Sequence, residues 1–221
     1  MVEIRRKILK ENDIVARRLR CFCRRAGIEV ISVVSSPGSG KTTLLEHLLA
    51  DLGHRYRVAA LVGDLATDND AARLARTGAA VKQITTGTVC HLDATMIEEA
   101  LQGWNLAELD YLFIENVGNL VCPASFDLGE DLRLVLVSTT EGEDKPLKYP
   151  TIFNTSDVAI ITKLDLADAT RCDLKKLIQN VNSVRPGMPI LKLSARTGEG
   201  LEELKQVLIA RRRPQEAAHA I

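Results

Sequence analysis

The stretch that decides the fold is Ser35-Ser36-Pro37-Gly38-Ser39-Gly40-Lys41-Thr42. It follows an apolar run at residues 29–34 and leads into a leucine-rich stretch at residues 43–52. A strand, a glycine-rich turn and a helix in that order form a phosphate cradle, because N–H groups of the turn point at the anion and the helix N-terminus adds positive partial charge. Only Ser35 departs from the P-loop pattern Gly-x-x-x-x-Gly-Lys-Ser/Thr. The sequence therefore predicts a nucleotide site rather than an ordinary strand–helix turn.

The P-loop residues divide into those that hold phosphate and those that hold the metal ion of the nucleotide. We expect the Lys41 ammonium to reach the β- and γ-phosphates and the Thr42 hydroxyl to bind Mg²⁺. The predicted phosphate-binding residues are Gly38, Ser39, Gly40, Lys41, Thr42 and Thr43.

A second segment, Glu115-Asn116-Val117-Gly118, follows a buried apolar run. P-loop proteins hold Mg²⁺ or one of its waters with a carboxylate in this place, and the Gly118 N–H is placed to sense the γ-phosphate. Asp64, at the end of another run, is a further candidate; the alternative for Glu115 is a strand-end carboxylate in solvent. No Gln follows Gly118 to orient the hydrolytic water, so we expect slow intrinsic hydrolysis. The predicted catalytic residues are Lys41, Thr42, Asp64, Glu115 and Gly118, and Mg²⁺ is assigned to Thr42, Asp64 and Glu115.

Two more segments identify the base of the nucleotide as guanine. Thr162-Lys163-Leu164-Asp165 resembles the Asn/Thr-Lys-x-Asp motif of GTPases, in which one carboxylate accepts from both N1–H and the 2-amino group of guanine. The Lys163 stem would cover the base. Ser194-Ala195-Arg196 resembles the Ser-Ala-Lys loop that supports the base through a backbone amide. The predicted base-binding residues are Thr162, Lys163, Asp165, Ser194, Ala195 and Arg196.

Thiols and an imidazole form a possible metal-binding set outside the nucleotide motifs. Cys90 and His91 are adjacent, and Cys122 follows Glu115 by seven residues on the same exit loop. Two thiolates and a neutral imidazole suit Zn²⁺ or Ni²⁺, whereas buried free cysteines are the alternative. Three ligands leave a tetrahedral metal ion with one coordination position unfilled. A two-fold dimer would bring two such sets together, or the position would stay open for metal transfer.

The order of the apolar runs predicts an α/β fold with a doubly wound, mostly parallel sheet flanked by helices. Nearly continuous apolar strands indicate a sheet covered on both faces, and their alternation with helices is typical of parallel pairing. Strands are predicted at 30–34, 57–62, 80–84, 110–115, 133–138, 157–162 and 189–193. Helices are predicted at 43–52, 69–77, 92–102, 171–184 and 200–211. We divide the chain into an N-terminal helix (1–28), a P-loop GTPase domain (29–211) and a disordered tail (212–221).

The N-terminal helix is predicted to be amphipathic and basic. Its apolar residues at helical spacing are Ile4, Ile8, Val15, Leu19, Phe22 and Ala26. Residues 3–26 also carry nine Lys or Arg against three acids. Such a helix docks on the domain by its apolar face or touches a membrane or an acidic partner, and we favour docking.

Composition excludes several other classes of protein. In this chain of 221 residues, 29 Lys+Arg balance 29 Asp+Glu, so no global positive field recruits nucleic acid, and 4% aromatic residues disfavour base stacking. No apolar run reaches the roughly 18–20 residues of a membrane span, and the basic N-terminus lacks the core of a signal peptide. We expect a cytoplasmic protein that binds neither nucleic acid nor membrane, with its five cysteines reduced.

Five strings of the sequence together resemble one family. They are residues 36–43, Cys90-His91-Leu92-Asp93-Ala94, residues 115–123, Phe126-Asp127-Leu128-Gly129 and residues 140–150. They are similar to the hydrogenase nickel-incorporation GTPases called HypB, over about residues 12–205. The nearest relative of that family, the urease accessory GTPase, carries Cys-Pro-His where this chain has Cys122-Pro123-Ala124.

The resemblance implies a homodimeric metallochaperone that binds GTP or GDP and delivers Ni²⁺ during NiFe-hydrogenase maturation. It implies a dimer-interface site for Ni²⁺ or Zn²⁺ at Cys90, His91 and Cys122. It further implies a nickel-binding accessory protein and the hydrogenase large-subunit precursor as partners. Three alternatives stay open: a urease-type nickel accessory GTPase, a P-loop small-metabolite kinase, and a non-enzymatic metal-dependent dimerisation module.

Overall fold

The computed structural model describes residues 2–212 and contains one seven-stranded sheet with all pairs parallel. Each apolar run predicted to be a strand forms one, so the predicted fold class is confirmed. The strands are β1 (Glu29–Ser35), β2 (Val58–Asp64), β3 (Ala80–Thr85), β4 (Tyr111–Glu115), β5 (Leu132–Ser138), β6 (Val158–Thr162) and β7 (Ile190–Lys192). Their order across the sheet is β3-β2-β4-β1-β5-β6-β7.

Helices flank the sheet on both faces, including two short helices that periodicity did not predict. They are α1 (Val2–Arg25), α2 (Lys41–Gly53), α3 (Asn69–Ala75), α4 (Ala94–Ala100), α5 (Lys145–Lys148), α6 (Pro150–Asn154), α7 (Leu174–Val184) and α8 (Leu201–Arg211). The unpredicted pair, α5 and α6, each has a proline in the first turn, where the missing N–H costs no helical hydrogen bond.

The central strand β1 places the P-loop at the middle of the sheet. β1 pairs with β4 on one side and β5 on the other, and all seven of its residues are buried. Ile31 and Val33 pack with leucines of α2 and α8, whereas Val30 on the opposite face packs with Ala16 and Leu19 of α1. Because parallel strands share one carboxyl edge, the loops after β1, β2, β4 and β6 meet at the same edge.

The helix α1 docks on the domain by a face that only partly overlaps the predicted apolar face: Leu19 is buried, and Val15 and Ala26 are partly buried against the domain. The buried residues are Asn12, Ala16, Leu19 and Cys23, whereas Ile4 is 65% exposed, Ile8 50% and Phe22 53%. The contact surface is set by Gly129, where an added Cβ would lie 2.9 Å from the Ala16 carbonyl oxygen. A backbone approach this close requires small or polar residues on the facing side of the helix, here Asn12 and Ala16, and hydrophobic periodicity does not detect that side.

Three ion pairs fasten the basic face of α1 to the domain. Arg18 binds Glu98 of α4, Arg20 binds Asp127, and Arg24 binds Asp131. No helix within residues 2–212 is both long enough and apolar enough to cross a bilayer. The predicted disordered tail, 212–221, lies outside the described residues except for Arg212.

Candidate nucleotide and metal sites

The phosphate-binding loop has the backbone that its glycines predict. Gly38 and Gly40 adopt φ values of 74° and 96°, which L side chains rarely adopt, and α2 begins at Lys41. Lys41 Nζ lies 3.1 Å from the Ser35 hydroxyl, so the one departure from the P-loop pattern places a hydrogen-bond acceptor beside the lysine. Burial lowers the pKa of Lys41, while Glu115 and nearby acids oppose that shift.

The predicted catalytic residues surround one cavity. A space of about 590 Å³ is lined by both P-loop glycines and by Lys41, Thr42, Asp64, Glu115 and Gly118. Asp64 Oδ1 accepts hydrogen bonds of 2.9 Å from the N–H groups of Ala66 and Thr67. These bonds lower the pKa of Asp64 although burial alone would raise it, so Asp64 is a carboxylate at neutral pH.

Two of the three residues predicted to hold Mg²⁺, Thr42 and Glu115, are in contact and fit that ion, and the third, Asp64, lines the same cavity. Thr42 Oγ1 donates to Glu115 Oε1 at 2.8 Å, and Glu115 Oε2 is buried with no hydrogen-bond partner among the described residues. Burial raises the pKa of Glu115 to about 7, against the lowering influence of Lys41 and Thr42. An unsatisfied carboxylate oxygen beside a hydroxyl is a ready oxygen-ligand set for Mg²⁺, whose positive charge would favour the ionised form.

Five of the six predicted guanine-binding residues line a second, adjoining cavity of about 240 Å³. Its walls include Thr162, Lys163, Asp165, Ala195 and Arg196. Asp165 Oδ1 accepts from the Ser194 hydroxyl at 2.6 Å, which orients the carboxylate. Two residues of this motif also fix the backbone around the cavity. Lys163 has a φ of 58°, and Thr162 Oγ1 donates to the Ser39 carbonyl at 2.8 Å. This last bond ties the base loop to the P-loop, a role that the sequence did not reveal.

The structure brings the three predicted metal ligands together. One ligand atom each of Cys90, His91 and Cys122 lies within 4.8 Å of the others, and the two Sγ atoms are 2.9 Å apart. His91 Nδ1 is buried without a hydrogen-bond partner within residues 2–212. Burial lowers the pKa of His91 against the raising influence of Asp93, so the imidazole is in the neutral form that metals bind. Its ring stacks on Phe126, with centroids 4.0 Å apart.

Two asparagines connect the nucleotide loop to the metal ligands. Asn116 Oδ1, directly after Glu115, accepts from the N–H groups of Leu92 at 3.1 Å and Val117 at 2.9 Å. Asn119 Nδ2 donates to the Cys90 carbonyl at 3.2 Å. Sequence reasoning did not assign these residues, although both lie within the string that runs from Glu115 to Cys122. The loop that follows β4 thus holds the segment carrying Cys90 and His91.

The segment after β5 also reaches the phosphate site. The Ser39 hydroxyl donates to Glu141 Oε1 at 2.6 Å, and Lys145 Nζ is 3.7 Å from Glu141 Oε2. Lys145 lines a recess beside Pro37 and Gly118, whereas Lys148 is exposed and pairs with Asp144. Of the two lysines, Lys145 is the one placed next to the P-loop.

Comparisons with known proteins assign the chain to a family. The sequence profile described as "CobW/HypB/UreG, nucleotide-binding domain" matches residues 29–192. The chain is 46% identical over 202 residues to "Hydrogenase maturation factor HypB" of Rhizobium leguminosarum bv. viciae, covering 91% of this chain and 68% of that one. It is 42% identical over 222 residues to "Hydrogenase/urease maturation factor HypB" of Helicobacter hepaticus, covering 99% and 91%.

A solved structure agrees with the fold over most of both chains. The crystal structure of HypB from Helicobacter pylori in complex with nickel superposes with a TM-score of 0.87 at 40% identity, covering 96% of this chain and all of that one. Sequence profile, curated relatives and solved structure lead to one assignment. The chain belongs to the CobW/HypB/UreG family and, within it, groups with the hydrogenase maturation factors called HypB.

Proposed function

We propose that this protein is a Mg²⁺-dependent GTPase and nickel metallochaperone that acts in NiFe-hydrogenase maturation. The observation that carries the proposal is the hydrogen-bonded connection between the nucleotide loop and a Cys-Cys-His cluster. Asn116 and Asn119 follow the candidate Mg²⁺ ligand Glu115 and hold the backbone at Leu92 and Cys90. A relative of known structure was crystallised with nickel, which supports nickel as the cargo.

The proposed nucleotide chemistry rests on positioning. Lys41 and the P-loop N–H groups hold the phosphates, and Asp165 accepts from guanine. When bound, Mg²⁺ would neutralise charge on the phosphate oxygens, with Thr42 and Glu115 as its protein ligands or ligands of its waters. Gly118 packs on Pro37, so a contact between its N–H and the γ-phosphate would shift the loop that carries Asn119.

The proposed metal chemistry rests on an exchangeable site. Two thiolates and one imidazole leave a position open on a four-coordinate ion, which suits transfer better than storage. We propose that two protomers form a homodimer with these clusters at the interface. Zn²⁺ would bind the same ligands, so availability decides which ion enters. The proposed partners are a nickel-binding accessory protein and the hydrogenase large-subunit precursor.

The experiment is a nickel titration of the protein with GDP and, separately, with a non-hydrolysable GTP analogue. Native mass spectrometry reports stoichiometry and dimerisation, and thiolate-to-nickel absorbance reports the ligands. We expect the two nucleotide states to differ in nickel Kd by about 5- to 150-fold, the usual range of coupling free energies, and nickel to shift the ratio of the GTP and GDP affinities by the same factor. Equal Kd and stoichiometry in both states would refute the coupling.

Two cysteine variants make a matched pair for this titration. Cys90→Ser removes one of the two proposed thiolate ligands and should weaken both nickel binding and the absorbance band, because a hydroxyl is a poor nickel ligand at neutral pH. Cys21→Ser changes an exposed cysteine of α1 and should leave the band unchanged. An unchanged nickel Kd and absorbance band in Cys90→Ser would show that the cluster is misassigned.

Urease maturation is a second candidate, because one relative is named a hydrogenase/urease maturation factor. The ligand set and nucleotide chemistry would be the same, and only the client enzyme would differ. Genetic complementation separates the two candidates: the gene should restore nickel-dependent hydrogenase activity, urease activity or both to a strain that lacks its own maturation factor.

A further inference from the structure

We propose that the N-terminal helix α1 sets the geometry of the metal cluster, and that Asn12 is the positioning residue through which it acts. This inference rests on the proposed function, because it assigns α1 a part in the nickel site formed by Cys90, His91 and Cys122. Asn12 contacts none of the three ligands. It acts on the two backbone segments that carry His91 and the aromatic ring stacked on it.

Asn12 spans those two segments with one side chain. It is 5% exposed, and both polar atoms of its amide are used. Its Nδ2 donates to the Asp127 carbonyl at 2.9 Å, and its Oδ1 accepts from the Ala94 N–H at 2.9 Å. Asp127 directly follows Phe126, and Ala94 begins α4 three residues after His91. One buried amide therefore fixes the separation between the His91 turn and the Phe126 segment.

The His91 ring depends on that separation because stacking is what orients it. Metal-binding histidines usually donate their second N–H to a carboxylate or carbonyl, which fixes the ring. Here the His91 ring makes no hydrogen bond through either nitrogen within the described residues, while Phe126 stacks on the ring at 4.0 Å and 28°. Aromatic pairs of this kind contribute about 0.5–1.5 kcal/mol beyond their area, enough to select one orientation.

Further contacts make α1 and the Phe126 segment move as one body. Arg20 Nε donates to the Glu130 carbonyl at 3.0 Å, and its Nη2 binds Asp127 at 2.5 Å. Gly129 approaches the α1 backbone so closely that an added Cβ would lie 2.9 Å from the Leu19 Cβ. A tilt of α1 would therefore carry Phe126 with it and change the angle at which His91 faces the two thiols.

The test uses Asn12→Leu, which keeps the side-chain volume and removes both hydrogen bonds. Its matched control is Asn180→Leu, since Asn180 is equally buried at 6% exposed and donates to the Glu143 carbonyl at 2.7 Å, away from the metal cluster. Nickel titration of each full-length variant is read by thiolate-to-nickel absorbance. The His91 ring proton shifts are read by NMR in the metal-free protein and assigned with His91→Gln.

We expect Asn12→Leu to raise the nickel Kd, at most by the roughly 10- to 100-fold that follows loss of a residue bonded directly to a metal ligand, with GDP affinity unchanged. The upfield ring-current shift that Phe126 imposes on His91 should shrink in Asn12→Leu and persist in Asn180→Leu. An unchanged His91 shift in Asn12→Leu would overturn the inference whether or not nickel binds. Absence of nickel binding to the unaltered protein would instead refute the proposed function, and the NMR arm would still decide the role of Asn12.

Discussion

The substitution Gly118→Ala tests how closely the nucleotide loop and the P-loop depend on each other. An added Cβ would lie 2.9 Å from Pro37 Cα and 3.0 Å from Pro37 N, both of them backbone atoms that cannot rotate away. Ordinary contact begins at 3.4 Å, so the two loops must separate by about half an ångström. Crowding of this kind costs about 1–3 kcal/mol in a packed site.

This cost should appear in nucleotide binding. If Pro37 moves, the anion-binding N–H groups of the P-loop shift with it. If the loop after β4 moves instead, the Gly118 N–H moves away from the position of the γ-phosphate. We therefore expect the Kd for a fluorescent GDP analogue to rise about 5- to 140-fold, which is the cost above at 1.4 kcal/mol per tenfold. The effect on GTP should be larger, because only GTP offers the γ-phosphate.

The matched control is Gly53→Ala at the end of α2. Its Cβ would meet only Val58 Cγ2, at 3.6 Å, and alanine is the better helix former by up to about 1 kcal/mol. Gly53→Ala should bind nucleotide normally and melt at an equal or higher temperature. Wild-type nucleotide affinity in Gly118→Ala would show that the contact is soft and that the loops move independently, and the coupling argued from this contact would then fail.

Three further predictions use other residues. Lys41→Ala should abolish detectable GDP binding while the thermal unfolding midpoint stays within a few degrees; retained binding would contradict the assignment of the P-loop lysine. Asp165→Asn should lower the preference for GTP over XTP by about tenfold or more, measured by competition, and an unchanged preference would exclude Asp165 as the guanine ligand. Hydrogen bonds from Arg57 and Arg212 lower the pKa of Asp110 although burial would raise it, so its stabilising effect is present at neutral pH and is lost as the pH falls through that lowered pKa. Asp110→Asn should therefore lower the free energy of unfolding by about 1–3 kcal/mol at pH 7 and by less at acidic pH. Urea unfolding of both proteins between pH 3 and pH 7 measures this difference, and a difference that does not change with pH would contradict the prediction.

The strands and the order of the nucleotide motifs followed from sequence because both depend on local pattern. Continuous apolar runs predicted parallel strands, and parallel strands bring their carboxyl-end loops to one edge whatever the loop lengths are. Lys41, Glu115 and Asp165 therefore lie around adjoining cavities as the motif order requires. The clustering of Cys90 with Cys122 was proposed from chemistry and family resemblance, since spacing alone matched no metal motif.

The polar part of the docking face of α1 and the residues that link the two sites did not follow from sequence. Asn12 is buried because both of its amide groups find partners, and a satisfied polar residue leaves no trace in hydrophobic spacing. Asn119 and Phe126 act across the fold on Cys90 and His91. Such contacts exist only after the chain has folded, so no local pattern encodes them.

The place of β1 in the sheet also determines when the protein can first bind nucleotide during folding. β1 carries the P-loop, yet its neighbours β4 and β5 lie about 80 and 100 residues further along the chain. Until both have paired with it, the phosphate loop has no rigid support, and closing such long loops is slow. In a refolding experiment, GDP binding should therefore follow the slowest folding phase, and binding ahead of that phase would contradict this order. On a ribosome, GDP or GTP would be captured only after β4 and β5 have emerged, so bound nucleotide marks a chain that has been synthesised beyond residue 138.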